Sequence, residues 1–307
     1  MEFTMGLDTP FSLDYTLGSG QVFRWERKGE WWCGVVSGGA LKLRSELDSI
    51  RCASSSDVLG SSFVRRYFRL DEPFEDVLGS IAKDDVMTEA VQRFYGLRLI
   101  QQERWECLAS FLLATNANIP RIKKMVASVC EAYGDPFEFE GSQLKSFPRP
   151  ETLAEAELPG LANCGLGYRA PFLKRVAGAV ASGRIDFTNL AEMEYEEARA
   201  ELLGELLGEK VLMGVGPKVA DCALLYSFGK DEAFPIDVWI SRELAKSYPK
   251  LIPRRIRVKL RTVAKTKLST ADYNEISKAA REHFGQYAGY AQLYLYSMAR
   301  SRPTSSP

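Results

Sequence analysis

Hydrophobic and polar residues follow two different periods along the chain. Near the N-terminus, β-prone runs occupy 21–24, 31–36 and 40–44, and Gly38-Gly39 separates the last two as a hairpin turn would. After Asp57 the apolar spacing changes to that of helices. This spacing predicts helices at about 57–69, 84–95, 103–115, 119–133, 168–182, 191–203, 217–228, 238–247, 272–284 and 287–298, with a connector at 135–150.

This order of elements predicts an α+β fold. We expect a small N-terminal antiparallel β-sheet domain with flanking helices over 1–100, and a large all-helical domain over 101–300. The polar tail at 301–307 is predicted to be disordered.

Composition narrows the possible chemistry. The chain is 46% hydrophobic and 26% charged, with no apolar run near membrane-spanning length and no secretory signal, so we expect an intracellular protein without a membrane partner. The six cysteines form no Cys-x-x-Cys pair, which argues against a metal or iron–sulfur site and favours free thiols. Since His283 is the only histidine, a catalytic nucleophile or base is expected to be Lys, Asp, Glu or Tyr, with no cofactor.

Charge is unevenly distributed, although it sums to zero. The stretch 244–271 has nine basic residues and no acid. Such a run is typical either of a solvated helix face or of a nucleic-acid contact, and the sequence leaves both open.

A glycine-rich turn predicts a helix–hairpin–helix at about 203–228. Gly214 and Gly216 make a tight turn, and Pro217 takes the favoured first position of the next helix. Backbone N–H groups at such a turn suit a DNA phosphate. An ordinary helix–helix turn would have the same two glycines.

Lys218 and Asp237 are the candidate catalytic pair. Lys218 lies in the first turn of the helix, where the macrodipole disfavours positive charge and favours a neutral amine able to attack carbon. Nineteen residues later, Asp237 is placed to cap another helix, and a carboxylate held there can also stabilise a cation. Solvated lysine and simple capping aspartate are the structural alternatives.

Several segments together resemble a known family. The turn from Gly214 to Cys222 followed by 235–238 (Pro-Ile-Asp-Val) is similar to the helix–hairpin–helix DNA glycosylases, and to their 8-oxoguanine DNA glycosylase/lyase branch in particular. The segments 18–25, 115–122, 165–170 and 287–292 resemble that branch's N-terminal hairpin, its two DNA-reading segments and the start of its last helix.

The resemblance implies a role for each matching residue. Lys218 would attack the sugar C1′, Asp237 would stabilise the cation, and a Schiff base would allow β-elimination. Cys222 and Tyr296 would sandwich the flipped base, and Gln292 would bond its Watson–Crick edge. Because Gly20 has no Cβ, its backbone can approach a base closely, and we hypothesise that its carbonyl reads N7; an ordinary turn glycine is the alternative. The DNA-binding set would comprise Asn116, Arg121, Tyr168, Arg169, Gly214 and Gly216.

Spacing supports part of this set independently. Lys218 and Cys222 are i and i+4 on one helix, and so are Gln292 and Tyr296, so each pair shares a helix face.

The partner implied is double-stranded DNA with an oxidised purine, bound by a monomer.

Three positions depart from the family pattern. Trp239 stands where relatives commonly carry His, Ala299 where they carry an acid, and Tyr296 where Phe is usual. Two alternatives remain: a related glycosylase for mispaired adenine, oxidised pyrimidines or alkylated bases, and a non-catalytic DNA-binding module.

Overall fold

The N-terminal part of the chain forms one antiparallel sheet. The computed structural model describes residues 1–204, 214–262 and 268–301. The strands are β1 (Glu2–Gly6), β2 (Trp25–Lys28), β3 (Trp31–Val36), β4 (Gly39–Ser45) and β5 (Ser49–Ser54). They form a five-stranded sheet of order β1-β5-β4-β3-β2, in which the first strand pairs with the last.

The predicted hairpin between 31–36 and 40–44 is present, with β4 one residue longer at each end. Its turn is centred on Ser37 (φ 46°) and Gly38 (φ 80°), one residue earlier than the Gly-Gly pair suggested. Both have the positive φ that a two-residue hairpin turn of the I′ type requires. Strands β1 and β5 were not predicted.

The strand predicted at 21–24 is wrong. Helix α1 (Leu13–Gly18) precedes this segment, and β2 begins only at Trp25. Gly20 has φ 92°, and the buried Gln21 side chain bonds the Thr16 and Arg98 carbonyls and the Ile100 N–H. Those bonds hold the segment as a turn between helix and sheet, so 18–21 is not a β-hairpin.

Helices dominate the rest of the described chain. Those that follow the sheet in the sequence are α2 (Ser61–Tyr67), α3 (Phe74–Ile81) and α4 (Asp85–Arg93). The helical part contains α5 (Arg104–Leu113), α6 (Ile119–Tyr133), α7 (Pro150–Glu155), α8 (Leu158–Leu161), α9 (Ala170–Ala181), α10 (Phe187–Glu192), α11 (Tyr195–Leu202), α12 (Pro217–Ser227), α13 (Val238–Ser247), α14 (Arg254–Thr262), α15 (Thr270–Phe284) and α16 (Ala288–Ser301). The predicted α+β fold is confirmed.

Local backbone chemistry explains the differences from prediction. The helix expected at 57–69 is a 3-10 turn at 57–59 followed by α2, because Gly60 has an extended conformation between them. The connector at 135–150 contains a small hairpin of β6 (Pro136–Phe139) and β7 (Ser142–Lys145), turning at Glu140-Gly141 with positive φ at both residues. Helices α1, α3, α7, α8, α10 and α14 were missed.

Two hydrophobic cores organise the molecule. One lies against the sheet around Trp25, Leu43 and Phe68, and a larger one fills the helical part. Arg69 joins the two regions through paired hydrogen bonds of 2.7 and 2.6 Å to Asp231. Helices α3 and α4 pack in the larger core, and the domain boundary near residue 100 stays a prediction.

Ser301 belongs to the last turn of α16, and the rest of the tail predicted to be disordered lies outside the described residues. Among the described helices, none combines the length and apolar character needed to cross a membrane. All six cysteines are free thiols.

Candidate active site

The turn before α12 requires glycine at its first position. Gly214 has φ 117°, and a Cβ there would lie 2.7 Å from the Phe172 Cβ, so both backbone conformation and space exclude a side chain. Gly216 is the N-cap of α12, and Pro217 is its first residue, as predicted. Residues 205–213, where the first helix of the predicted helix–hairpin–helix would fall in part, lie outside the described residues.

One large pocket brings together most of the predicted site residues. Its volume is about 1060 Å³. Ten predicted residues line it: Gly20, Asn116, Tyr168, Gly214, Gly216, Lys218, Cys222, Asp237, Gln292 and Tyr296. Arg121 and Arg169 do not. Arg121 is exposed on α6, and Arg169 is buried.

Lys218 enters the pocket over an aromatic floor. Its Nζ lies 4.8 Å from the centroid of the Phe111 ring, which is itself stacked on Tyr226 at 5.3 Å. Burial raises the pKa of the neighbouring Cys222 thiol to about 12, although the Lys218 charge opposes the rise. Cys222 is therefore a neutral thiol at physiological pH and adds no charge beside the amine.

Asp237 is held by the helix that it caps. Its Oδ1 accepts the Ile240 N–H at 2.8 Å, which fixes the carboxylate at the start of α13. Burial raises the pKa of Asp237 above its usual range, and the Ile240 N–H and the charges of Lys218 and Arg300 oppose the rise. The pair is therefore electrostatically coupled across the pocket.

A buried network connects the two segments that carry the candidate catalytic pair. Asp221, on α12 with Lys218, is fully buried and accepts hydrogen bonds from Tyr195, Arg199 and Tyr273. The Tyr273 hydroxyl also accepts the Ile236 N–H at 3.1 Å. Ile236 directly precedes Asp237, the other member of the candidate pair. Burial raises the pKa of Asp221, while the Arg199 charge opposes the rise.

The last helix presents an unpaired acceptor to the pocket. The Gln292 Nε2 donates to the Pro235 carbonyl at 3.0 Å, which fixes the amide orientation because a carbonyl can only accept. The Oε1 of this buried side chain has no partner among the described residues. A buried unpaired acceptor is unfavourable unless a ligand supplies a donor.

The turn at 19–21 forms another edge of the pocket. Ser19 Oγ donates to the Thr16 carbonyl at 2.8 Å, and the Gln21 carbonyl accepts from Gln102 at 2.8 Å. Between these anchored neighbours, no hydrogen bond to the Gly20 carbonyl occurs within 1–204, 214–262 and 268–301. Gly20 has φ 92°, which is strained for any residue with a side chain, and a Cβ there would also lie 2.8 Å from Ile119 Cδ1, so the position favours glycine.

Three of the predicted DNA-reading residues, Asn116, Tyr168 and Arg169, form a hydrogen-bonded cluster beside the pocket. Asn116 (φ 53°) donates through Nδ2 to the Tyr168 hydroxyl at 3.1 Å, and Tyr168 is 53% exposed. Arg169 is buried with its guanidinium bonded to the carbonyls of Thr115, Asn116 and Leu166. In this structure Arg169 supports the 115–116 segment, and its contact with DNA stays a prediction.

Part of the basic run is already paired. Arg255 forms ion pairs with Asp272 and Glu275, and Lys259 pairs with Asp272 at 3.2 Å. The part at 263–267 lies outside the described residues. A phosphate contact from this run stays a prediction.

Sequence reasoning missed Phe111, Tyr273 and Arg300. Phe111 and Tyr273 carry no local signal, because each reaches the pocket from a helix remote in sequence. Arg300 had one: with Gln292 and Tyr296 it completes an i, i+4, i+8 stripe on α16. No cluster of three metal-ligating side chains is found in the described part of the chain.

Comparisons with known proteins agree over nearly the whole chain. Residues 6–108 match the family model of the 8-oxoguanine DNA glycosylase N-terminal domain, and 109–250 match that of the HhH-GPD superfamily base excision DNA repair proteins. A probable N-glycosylase/DNA lyase of Methanothermobacter thermautotrophicus is 30% identical over 285 residues, which cover 85% of this chain and 82% of the relative.

Solved structures show the same fold. MBOgg1 in complex with a low-affinity DNA ligand superposes with a TM-score of 0.84 at 31% identity, covering 97% of this chain and 95% of the other. The Clostridium acetobutylicum 8-oxoguanine glycosylase/lyase, in complex with double-stranded DNA containing cytosine opposite 8-oxoG, gives 0.80 at 25% identity, with 97% of each chain covered. The chain belongs to the 8-oxoguanine DNA glycosylase branch of the HhH-GPD superfamily.

Proposed function

We propose that this protein is a bifunctional DNA glycosylase and abasic-site lyase that excises 8-oxoguanine from double-stranded DNA. The observation that carries the proposal is one pocket that holds an amine, a carboxylate and groups suited to a purine. Lys218 and Asp237 supply the first two, and Gly20, Gln292 and Tyr296 line the same space. The resemblance to N-glycosylase/DNA lyases over most of the chain supports this assignment.

The glycosylase step needs the amine and the carboxylate together. The neutral Lys218 Nζ attacks the sugar C1′, the bond from C1′ to the base N9 breaks, and its electron pair leaves with the base. Positive charge develops on the sugar in the transition state. The Asp237 carboxylate, fixed by the Ile240 N–H, stabilises that charge.

The lyase step follows from the covalent bond. Loss of a proton from the lysine nitrogen and opening of the sugar ring give a Schiff base between Nζ and C1′. The Schiff base acidifies the C2′ proton, and its removal expels the 3′ phosphate by β-elimination. Hydrolysis then releases Lys218, so the chain's own amine serves both steps.

Base recognition divides between the faces and the edges of the purine. A base must leave the stack to be excised, and Cys222 and Tyr296, which line the pocket, are proposed to hold its faces. The unpaired Gln292 Oε1 accepts from the N–H groups on its Watson–Crick edge. Guanine and 8-oxoguanine share these features, so they give purine affinity without lesion selectivity.

Lesion selectivity is assigned to the Gly20 carbonyl. Guanine N7 is an acceptor, whereas N7 of 8-oxoguanine carries a hydrogen. The carbonyl, which no described donor contacts, would bond the lesion and meet a lone pair on guanine. Leaving a buried acceptor unpaired costs about 1–3 kcal/mol, or one to two powers of ten in rate.

DNA binding is assigned to the cluster beside the pocket and the glycine turn. The backbone N–H groups of Gly214 and Gly216 are proposed to hold a phosphate. Asn116, Arg121 and Arg169 are proposed to read the partner base, with the exposed Tyr168 wedged into the duplex. We propose a monomer that acts inside the cell, where its DNA substrate is.

The test is single-turnover cleavage of duplexes that carry 8-oxoguanine opposite each of the four normal bases. Matched duplexes with guanine, or with an abasic site, serve as controls. We expect cleavage of lesion and abasic duplexes and none of the guanine duplex. Cleavage of the abasic duplex alone would mean a lyase for another damaged base, and no cleavage with retained binding would favour a non-catalytic module.

A base analogue tests the assignment of Gly20. The analogue keeps the oxygen on C8 but has no hydrogen at N7. We expect its excision to be slower than that of 8-oxoguanine by one to two powers of ten. Equal rates would show that 8-oxoguanine is distinguished from guanine by a group that contacts the C8 oxygen, and not by the Gly20 carbonyl.

A further inference from the structure

Arg300 lies between the part of the pocket proposed to contact the edge of the base and the part proposed to contact its face. It lies in the last turn of α16 and lines the pocket, although the side chain is exposed at the rim. Gln292, Tyr296 and Arg300 follow one another at i, i+4 and i+8, so the three share a helix face. The first two are already assigned to the base, and the third has had no role.

Two contacts connect Arg300 to two neighbouring parts of the pocket lining. Its Nη1 donates to the Ser19 carbonyl at 2.9 Å, and its guanidinium carbon lies 5.4 Å from the centroid of the Tyr296 ring. A planar guanidinium can stack on a ring and donate in its own plane at the same time. Arg300 therefore spans from the turn at 19–21 to the aromatic platform.

The space around Gly20 shows how closely Arg300 and Tyr296 approach the turn. A Cβ on Gly20 would lie 3.1 Å from Arg300 Nη1 and 3.7 Å from the Tyr296 hydroxyl. The rest of the turn is anchored to the N-terminal part of the chain, through Ser19 Oγ to Thr16 and through the Gln21 side chain. The Arg300 bond thus links a turn held by the sheet domain to a platform on the last helix.

We propose that Arg300 is a positioning residue for lesion recognition, which holds the Gly20 carbonyl and the Tyr296 ring at a fixed separation. The inference rests on the proposed function. A flipped base stacked on Tyr296 meets the Gly20 carbonyl with its N7 edge only when the turn and the platform keep one relative position. An abasic sugar has no base to place, so its cleavage does not depend on this bridge.

Two other roles for Arg300 would leave different signatures. Its charge opposes the raised pKa of Asp237, so an electrostatic role would affect every reaction that uses the carboxylate. A phosphate contact would weaken binding to all duplexes alike and reduce the salt dependence by about 0.9 in the log–log slope. Of these three roles, only the positioning role predicts that loss of Arg300 slows excision of a base but leaves cleavage of an abasic site unchanged.

The experiment compares single-turnover excision of 8-oxoguanine with cleavage of an abasic duplex. Arg300→Met keeps an unbranched stem but removes the donors and the planar group. We expect 8-oxoguanine excision to fall about tenfold or more, as loss of one hydrogen bond and a stacking contact implies. Cleavage of the abasic duplex should change less than about threefold on the same scale.

Arg300→Lys tests the geometry separately from the charge. Lysine keeps the positive charge and can still donate a hydrogen bond, but it has no planar group that could stack on the Tyr296 ring. We expect excision by Arg300→Lys to remain several-fold below wild type. Excision equal to wild type would overturn the bridge, and this variant also carries the test if Arg300→Met does not fold.

The matched control is Arg51→Met. Arg51 is an exposed arginine on β5 with one surface ion pair to Glu2, and it does not line the pocket. Both rates should match wild type. Equal losses of the two activities in Arg300→Met, or no loss in either, would overturn the positioning role. Failure of the wild type on 8-oxoguanine, with abasic cleavage intact, would instead overturn the proposed substrate.

Discussion

The Tyr273 hydroxyl donates a 2.6 Å hydrogen bond to the buried Asp221 carboxylate. It also accepts the N–H of Ile236 at 3.1 Å. Asp221 is three residues after Lys218 on α12, and Ile236 directly precedes Asp237. One phenol therefore connects the helix that carries the proposed nucleophile to the segment that carries its carboxylate partner.

Tyr273→Phe is expected to reduce both stability and excision. Loss of the hydroxyl leaves the Ile236 N–H and one Asp221 oxygen without their partner, which lowers the free energy of unfolding by about 1–3 kcal/mol. Asp221→Ala should lower it by about 3–5 kcal/mol, because Arg199 would remain as a buried, uncompensated charge. Urea unfolding measures both values.

Tyr195→Phe is the control for the activity loss. Tyr195 also donates to Asp221, at 2.9 Å, but it has no bond to the Ile236 segment. We expect a smaller stability loss than for Tyr273→Phe, because Asp221 Oδ1 keeps its bond from Arg199, and we expect the excision rate to be retained after correction for folded protein. If both variants lose excision equally, Tyr273 does not position the catalytic pair.

The rate of excision should fall as the pH is lowered, and the fall should occur at a higher pH than the titration of an ordinary aspartate. Burial raises the pKa of Asp237, and only the ionised carboxylate stabilises a cation, so protonation removes the activity as pH falls. The midpoint of this acid limb should lie above about 3.9, the value for an unperturbed Asp. Single-turnover rates across pH measure it.

Asp237→Asn isolates the charge, because asparagine still caps α13. We expect normal binding of lesion DNA and a loss of about a hundredfold or more in single-turnover rate. A rate near wild type, or an unchanged acid limb in the variant, would contradict the role of this carboxylate.

Gly214→Ala should destabilise the fold by about 1–3 kcal/mol, because φ 117° is strained for alanine and its Cβ would meet Phe172 at 2.7 Å. Gly216→Ala is the matched comparison. Its φ is −93°, and a Cβ there meets nothing within 4 Å, so the change should stay within about 0.5 kcal/mol. Thermal unfolding of the two variants should separate them clearly, and equal losses would contradict the strain at Gly214.

The fold class followed from periodicity, because long amphipathic helices carry a strong signal. The helix predicted at 119–133 has those bounds, as does the one at 238–247. Short elements failed for a physical reason: α1, α7 and α10 have six residues each, too few for a period to emerge. Strand β1 depends on pairing with β5, a contact between residues far apart in sequence.

The candidate site was readable where its chemistry is local. Lys218 and Cys222, and Gln292 and Tyr296, are helical neighbours, and all four line the same pocket. Tertiary contacts decided the rest. The bonds of Arg169 to backbone carbonyls leave no mark in the sequence, and the 18–21 segment is fixed by Gln21 as a turn outside the sheet.

Borohydride trapping on a duplex containing 8-oxoguanine tests the central assignment most directly. Reduction converts a Schiff base between the lysine and C1′ into a stable amine, which leaves enzyme and DNA covalently joined. Wild type should be trapped, and so should Lys278→Gln, which changes an exposed lysine paired only with Glu282 across one helical turn. Lys218→Gln should bind the same duplex and give no trapped complex, whereas trapping equal to wild type would show that another amine is the nucleophile.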